Sequence, residues 1–317
     1  MSVDRCIKVL RDHTHFIQGV AWDPLGKYLV TESADGSVKI WQASSRKSTA
    51  MAVTAFNKLC KANNESKANL FHDETLVSFF RRPAFSPDGA LLLLPAGIRD
   101  NDNCIHILAR SQLGDHPIVA HIYGFRRAVL GIRFNSKLFR LSTATEECNV
   151  NFRLGYRMIY AAFTMDAVHI LDSTQKIPVA VVKDLHYGSI TDVVWSPDGA
   201  TLLVTSTDGF CSVITFEHEE LGEMIPEEEQ RRILKDIQEQ LCGIRPIEQM
   251  PRLLRSPKSM PLEPVAMDSE MYPNDPPVSI IERSSTSELE EHSPTKEEVV
   301  VGGGGKRRIK PTFVSSF

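Results

Sequence analysis

The chain has few cysteines, no long apolar run and no segment typical of an export signal. Its six cysteines, among 317 residues, include no C-x-x-C pair, which argues against a zinc motif or a disulfide framework and favours reduced thiols. The tightest apolar run, Leu91 to Leu94, has the length of a strand, whereas a membrane helix needs roughly 18 apolar residues. Charged residues stand near the N-terminus where a signal peptide requires an apolar segment, so we expect neither export nor a membrane partner.

Patterns of catalytic chemistry are also missing. The sequence contains no Ser-His-Asp arrangement, phosphate-binding loop, H-E-x-x-H helix or dinucleotide-binding glycine motif. Gly302 to Gly305 form a glycine run, but they follow a Glu-Glu-Val stretch and lack the strand–loop–helix context of such loops. We therefore predict no catalytic residues, no metal site and no cofactor.

Charge and proline are distributed unevenly along the chain. Residues 1–216 carry 23 Lys and Arg against 20 Asp and Glu, whereas residues 217–317 carry 13 against 20 and hold 11 of the 18 prolines. Low hydrophobicity with excess charge leaves too little apolar area to offset chain entropy. We expect a folded part over 1–220, followed by a largely disordered, acidic, proline-containing tail over 221–317.

A self-similar unit recurs in the folded part. Its first copy spans Gly19 to Trp41, and another spans Asp192 to Phe216. In each copy an aromatic residue ends an alternating apolar strand, a glycine turn follows, and an Asp-Gly pair comes 13 residues after the aromatic. The aromatics are Trp22 and Trp195, and the pairs are Asp35-Gly36 and Asp208-Gly209. These turns and alternating strands predict antiparallel meanders.

Two further copies are less regular. The third spans Pro83 to Ile98, and we expect it to loosen around Arg99 to Asn103. The fourth consists of Val129 to Ser136 and Tyr156 to Asp172, separated by a polar interruption. The spacing between copies predicts long connections, the clearest from Ala43 to Asn69. Each unit has three or four short strands and cannot bury both of its faces alone, so neighbouring units must stack.

These features resemble the WD40 repeat family, an all-β propeller built of four-stranded blades. Trp41-Gln42 and Leu171-Asp172 stand where that family has its Trp-Asp dipeptide, and Asp12-His13 stands where Gly-His is usual. The four units found in the sequence correspond to about four blades, whereas the family usually has seven. The resemblance also implies that His13 and His186 make structural hydrogen bonds. Because propellers are mostly scaffolds, the fold alone implies no chemistry.

Three sequence blocks indicate a particular group within this family. In chain order, the blocks are Phe16 to Thr31, Leu70 to Gly97 and Ser206 to Gly222. They resemble blocks that occur in the same order in the WD-repeat B subunits of chromatin assembly factor 1. The resemblance implies the second half of such a propeller, in a nuclear, non-enzymatic component of a histone H3–H4 chaperone that acts on replicated or repaired DNA. It also implies the large subunit and the third WD-repeat subunit as partners, without sequence-specific DNA binding. The alternative is a generic WD40 adaptor, such as a substrate receptor of a ubiquitin ligase.

A basic motif follows the glycine run near the C-terminus. Arg307, Arg308, Ile309 and Pro311 lie in the segment Lys306 to Pro311. Such a cluster is typical of a nuclear-import or nucleic-acid patch. It also resembles the motif by which histone-deposition WD proteins dock on the antisilencing H3–H4 chaperone, which implies a docking motif over 306–314. Strand addition suits it, because arginine can pair with carboxylates and Ile309 can enter an apolar pocket.

The tail holds one predicted helix, near 226–241. Pro226 suits the first turn, and Glu227 to Glu229 complement the N-terminal dipole. Ile233, Leu234, Ile237 and Leu241 share one stripe, which either grips a partner or packs back on the propeller. The acidic cluster Glu217 to Glu229 is typical of a solvated charge run, with binding of basic histones as the alternative.

Short surface motifs complete the predictions. Ser256 and Ser293 precede prolines in the tail and are candidate sites for proline-directed kinases. The same dipeptide at Ser86 and Ser196 lies in blade turns, where we expect a structural role. For Phe79 to Arg82 we expect blade packing by one or both phenylalanines with solvated arginines, with a contact to the large subunit as the alternative.

Overall fold

The computed structural model describes residues 9–45, 51–60, 69–114, 117–141, 154–175, 177–217, 220–241 and 311–314. Side chains of residues 44–45, 51–57 and 311–314 are not included in that description. Apart from one helix, α1 (Glu227–Leu241), and a 3₁₀ turn at Arg110–Gln112, these residues form strands and their connections. Neither of these helical segments is long and apolar enough to cross a membrane.

The strands form four antiparallel sheets of four, and each sheet is one blade. Blade 1 contains β1 (Ile17–Trp22), β2 (Tyr28–Ser33), β3 (Val38–Ser45) and β4 (Met51–Leu59). Blade 2 contains β5 (Ala84–Phe85), β6 (Leu91–Arg99), β7 (Asp102–Ala109) and β8 (Ile118–Phe125). Blade 3 contains β9 (Gly131–Phe139), β10 (Arg157–Phe163), β11 (Ala167–Asp172) and β12 (Ala180–Lys183). Blade 4 contains β13 (Ile190–Trp195), β14 (Thr201–Ser206), β15 (Cys211–Thr215) and β16 (Pro311–Val314).

The first strands of successive blades, β1, β5, β9 and β13, are neighbours in space, which gives the stacked arc of a β-propeller. The prediction of an all-β propeller with four blades is therefore confirmed. Both regular repeats and the divided fourth copy form blades at the predicted places.

The turns follow the predicted chemistry. Gly26 and Gly36 have φ of 68° and 70°, a left-handed conformation that costs glycine little. Ser86 is buried, and its hydroxyl hydrogen-bonds to the Asp88 carboxylate and accepts from the Leu91 N–H, so its predicted structural role is confirmed. The Ser196 hydroxyl does the same in blade 4 with Asp198 and the Thr201 N–H.

Two predicted irregularities are wrong. The third copy does not loosen after Ile98, because β6 and β7 continue to the pair Arg99↔Asp102 and close in a two-residue hairpin. Asp100 and Asn101 supply that turn with φ of 53° and 71°, which short polar side chains tolerate without a glycine. Likewise, the stretch Ala43 to Asn69 is not only a loop, since β4 lies within it and pairs with β3.

The apolar core consists of three clusters, one between each pair of neighbouring blades. Strand β6 contributes side chains to both of the clusters that flank blade 2. Leu91 and Leu93 point into the cluster shared with blade 3, whereas Leu92 and Leu94 point into the cluster shared with blade 1. Because alternate side chains leave opposite faces of a strand, an unbroken apolar run is what a blade buried on both faces requires.

The two ends of the arc each leave apolar side chains in solvent. On blade 1, Val20 and Trp22 of β1 are 60% and 51% exposed. On blade 4, Val194 of β13 and Phe210 beside β15 are 54% and 52% exposed. Among the described residues no further blade packs on these faces, as expected for stacked sheets that bury their faces only against one another.

Blades 1 and 2 also meet through a buried ionisable pair. Glu32 in β2 and Arg81 before β5 are both fully buried. Arg81 donates to the carbonyl oxygens of His72 and Asp73 at 2.5 and 2.6 Å, but neither carboxyl oxygen of Glu32 has a hydrogen-bond partner among the described residues. Burial raises the pKa of Glu32 to about 8, and the positive charge of Arg81 offsets only part of that shift. Glu32 is therefore largely protonated near neutral pH.

Replacing Glu32 by Gln is expected to stabilise the chain at high pH only. The raised pKa means that the folded state binds a proton between about pH 4.5 and 8 that the unfolded state releases, so stability falls as pH rises through that window. Glu32→Gln removes this loss and should raise the free energy of unfolding by about 1–3 kcal/mol at pH 8.5, with little change at pH 5. Urea denaturation at both pH values, with the exposed Glu217→Gln as control, measures this. An equal effect of Glu32→Gln at the two pH values would contradict it.

Candidate interaction surfaces

The first histidine predicted to be structural lies in a polar network of blade 1. His13 Nδ1 lies 3.0 Å from Asp35 Oδ2, and His13 Nε2 lies 2.7 Å from the Thr31 hydroxyl. Trp41 Nε1 donates to the same hydroxyl at 2.9 Å. Although burial alone would raise it, hydrogen bonds from Ser37, the Thr14 N–H and His13 hold the pKa of Asp35 far below its usual value.

This network links the same types of side chain in the same order as a hydrolase triad, but a substrate cannot reach its hydroxyl group. The carboxylate, imidazole and hydroxyl of Asp35, His13 and Thr31 are linked in sequence, as a nucleophile and its base would be. However, Thr31 is buried, and the indole N–H of Trp41 occupies its oxygen. No substrate carbonyl could reach it, so the network joins β2, β3, the turn between them and the segment before β1 instead of performing acyl transfer.

Blade 4 has hydrogen bonds equivalent to part of the blade 1 network. His186 Nδ1 lies 3.2 Å from Asp208 Oδ2, and the N–H of Tyr187 donates to that oxygen at 3.1 Å. The positions equivalent to Thr31 and Trp41, counted from the turn aromatic, are Val204 and Ile214, which are buried and apolar. The structural roles predicted for both histidines are confirmed, and the Asp-Gly spacing is explained because the aspartate accepts these bonds.

In the segment Phe79 to Arg82, the side-chain exposures are the opposite of those predicted. Phe79 and Phe80 are 56% and 38% exposed, whereas Arg81 is fully buried and Arg82 is half-buried. The Arg82 guanidinium lies 4.7 Å from the Phe80 ring centroid and pairs with Asp192 at 3.2 Å. The prediction of packed rings and solvated arginines was wrong, because backbone carbonyls at the blade junction bind the guanidinium of Arg81.

The exposed rings form an aromatic patch, defined here as Phe16, Phe79 and Phe80. The Phe16 ring is 6.5 Å from that of Phe79, which is 6.0 Å from that of Phe80. Phe16 is 68% exposed. Aromatic side chains grouped on a surface beside cations are typical of protein interfaces, so this patch is a candidate contact for a partner.

The position of helix α1 shows that its amphipathic stripe packs on the propeller. Ile233, Leu234, Ile237 and Leu241 pack against the cluster between blades 2 and 3. Gln230 is buried, accepts from the Leu138 N–H at 3.3 Å and donates to the Ser136 carbonyl at 2.6 Å. The helix starts at Glu227, one residue after Pro226, as predicted. The apolar stripe therefore packs back on the propeller, with each of its four side chains partly buried.

The segment before α1 is fixed to blade 3. Met224 forms an antiparallel bridge with Phe139, and Ile225 N–H donates to the Leu138 carbonyl at 2.8 Å. Arg140 binds the carboxylates of Glu223 and Glu229, each at 2.9 Å. Part of the acidic cluster thus forms ion pairs within the chain.

The C-terminal candidates are described only in part. Arg307, Arg308, Ile309, Ser256 and Ser293 lie outside the described residues. Pro311 begins β16, whose backbone pairs antiparallel with β15 from Pro311↔Ile214 to Val314↔Cys211. The end of the predicted docking motif therefore completes blade 4 as its fourth strand. Sequence reasoning missed this pairing because about a hundred residues separate the two strands, with no signal of register between them.

A cluster of metal-binding side chain types was also missed. Cys104, His106 and His121 are all buried, and their ligand atoms lie within 4.8 Å of one another. Burial lowers the pKa of His106 to about 4, and burial together with the neighbouring His106 lowers that of His121 to about 3. Burial raises the pKa of Cys104 to about 12. The C-x-H spacing in β7 was visible in the sequence, but the partner strand was not.

The stacked four-stranded blades, with apolar clusters between them, define a β-propeller. Residues 1–221 match the family model described as the CAF1B/HIR1 beta-propeller domain. The chain belongs to this family, and the resemblance inferred from three sequence blocks is confirmed.

Several curated relatives share the same region. The chain is 38% identical to the FAS2 homolog of Oryza sativa subsp. japonica, a chromatin assembly factor 1 subunit, over 67% of this chain and 45% of that protein. It is 36% identical to the B subunit of chromatin assembly factor 1 from Mus musculus, over 70% of this chain and 40% of that protein. Identity with protein hir1 of Schizosaccharomyces pombe is 30%, over 70% of this chain and 21% of that protein. The chain spans less than half the length of these relatives.

Proposed function

We propose that the chain is a non-enzymatic scaffold subunit of a nuclear histone H3–H4 chaperone complex that assembles nucleosomes on replicated or repaired DNA. The observation that carries this proposal is the match of residues 1–221, nearly all of the described blades, to one propeller family whose relatives are chromatin assembly proteins. The partners are the large subunit and the third WD-repeat subunit of chromatin assembly factor 1, together with H3–H4.

The geometry supports a scaffold. The one His-Asp-hydroxyl arrangement that we find among the described residues is buried and holds strands together. The three inter-blade clusters are packed with apolar side chains. What remains for function is surface, including the aromatic patch and the exposed faces at the ends of the arc. Surfaces of this kind bind partners rather than transform them.

We assign two roles to two parts of the chain. The blades over 1–220, with α1 packed on them, bind the large subunit. The tail recruits the antisilencing H3–H4 chaperone through Arg307, Arg308, Ile309 and Pro311. Pro311–Val314 has the extended backbone that strand addition uses, but it pairs with β15 of blade 4, so these four residues join a partner's sheet only when they leave β15.

Replacing three tail residues separates the two roles. The variant with Arg307, Arg308 and Ile309 changed to Ala keeps α1 and also keeps β16, the fourth strand of blade 4, which a truncation after α1 would remove. We expect it to co-purify with the large subunit as the parent chain does and to lose the antisilencing chaperone. Quantitative mass spectrometry of the tagged parent and variant from cells measures both, and thermal melting of the two chains verifies folding. Loss of the large subunit from the folded variant would contradict the assignment, and recovery of ubiquitin-ligase subunits in place of both partners would favour the generic adaptor.

Peptides test the docking motif residue by residue. A peptide of residues 299–317 should bind the antisilencing chaperone, and Ile309→Ala or Arg308→Ala should weaken binding by at least about tenfold, because an apolar anchor or a paired arginine is lost. Lys306→Ala is the matched control, since an exposed flanking charge contributes at most about 1 kcal/mol. Isothermal calorimetry measures the affinities. A nuclear-import signal would instead tolerate Ile309→Ala and lose import with its charges, and equal binding by Ile309→Ala would refute docking.

A further inference from the structure

Three potential ligand side chains converge on one face of blade 2. Cys104 and His106 are two residues apart in β7, so both side chains leave the same face of the strand. His106 is directly opposite His121 in β8. The two Nδ1 atoms are 2.7 Å apart, and Cys104 Sγ lies 3.9 Å from each ring nitrogen of His106.

A hydrogen bond to the backbone fixes the orientation of the His106 ring. Its Nε2 lies 2.7 Å from the Leu70 carbonyl oxygen, which can only accept, so Nε2 carries the proton and Nδ1 presents a lone pair to the cluster. The Phe71 ring, in a T-shaped contact, and the backbone of Gly97 confine the imidazole, and a Cβ at Gly97 would lie within 2.9 Å of its ring. Metal-binding histidines usually donate their second nitrogen to a carbonyl or carboxylate in this way.

We propose that Cys104, His106 and His121 form a zinc-binding site that links β7 to β8. A thiolate with two imidazoles is the donor set that zinc favours over magnesium or calcium. Three protein ligands leave the fourth tetrahedral position for a water molecule or another small donor. The two ring nitrogens must move from hydrogen-bond distance to roughly 3.3 Å, the separation that two zinc–nitrogen bonds of about 2.0–2.1 Å impose in a tetrahedron.

This proposal is independent of the histone-chaperone function. A metal held only by the folded strands stabilises the blade by mass action. The links that it would make are local, between two strands that already pair, so its effect is on the stability of blade 2. The other described free cysteines, Cys60 and Cys211, have no such histidine pair beside them.

Cobalt substitution tests the site in the intact chain. The full chain, stripped with a chelator, should bind one Co²⁺ and show both the thiolate charge-transfer band in the near ultraviolet and the visible bands of tetrahedral Co²⁺. Zn²⁺ should displace the cobalt completely, with an apparent Kd below about 1 µM. Because this readout reports the sulfur ligand without any mutation, it does not depend on a variant that folds. Absence of the charge-transfer band would overturn the proposal.

Matched serine variants assign the ligand. Cys104→Ser should abolish the charge-transfer band and weaken Zn²⁺ binding at least about tenfold, because the metal loses its sulfur donor. Cys211→Ser, which removes a half-buried cysteine of β15, should bind as the parent chain does. Zn²⁺ should raise the melting temperature of the parent and of Cys211→Ser but not of Cys104→Ser. An unchanged band in Cys104→Ser, or the same zinc-induced shift in all three chains, would show that the cluster is only a hydrogen-bonded histidine pair.

Discussion

Each blade depends on its neighbours because a four-stranded sheet with two apolar faces cannot bury both of them by itself. The three apolar clusters bury these faces, since each cluster lies between two adjacent blades. Leu91 to Leu94 show it at the level of one strand, with alternate side chains in two different clusters. Stability in this arrangement is a property of the interfaces, as in repeat proteins, and not of single blades.

This constraint determines where function can reside. Positions that carry chemistry in other folds are here used for holding strands, as the linked His13, Asp35 and Thr31 demonstrate. Helix α1 covers the edge of blades 2 and 3, and its C-terminal Leu241 carbonyl accepts from Lys27 of blade 1 at 3.4 Å. Among the described residues, the exposed apolar surfaces include the aromatic patch and the exposed faces of blades 1 and 4. Surfaces of this kind suit the assembly role proposed for the chain.

Local sequence signals predicted most of the fold but few of the long-range contacts. The repeats, the turn glycines and the helix at 227–241 follow from propensity and spacing over a few residues. The burial of Arg81, next in sequence to two exposed phenylalanines, could not be predicted, because the carbonyls that bind it belong to His72 and Asp73 in an irregular segment. The register that places His121 opposite His106, and the pairing of β16 with β15, likewise depend on tertiary structure alone.

The function we propose is that the chain promotes histone deposition as a structural part of a complex and not as a catalyst. Plasmid supercoiling, driven by H3–H4 deposition, measures this when the chain is titrated into a mixture of the large subunit, the third WD-repeat subunit and histones. We predict that supercoiling rises with added chain and saturates at one chain per complex. Supercoiling that does not respond to the chain, or that reaches its maximum at a small fraction of one chain per complex, would contradict the account.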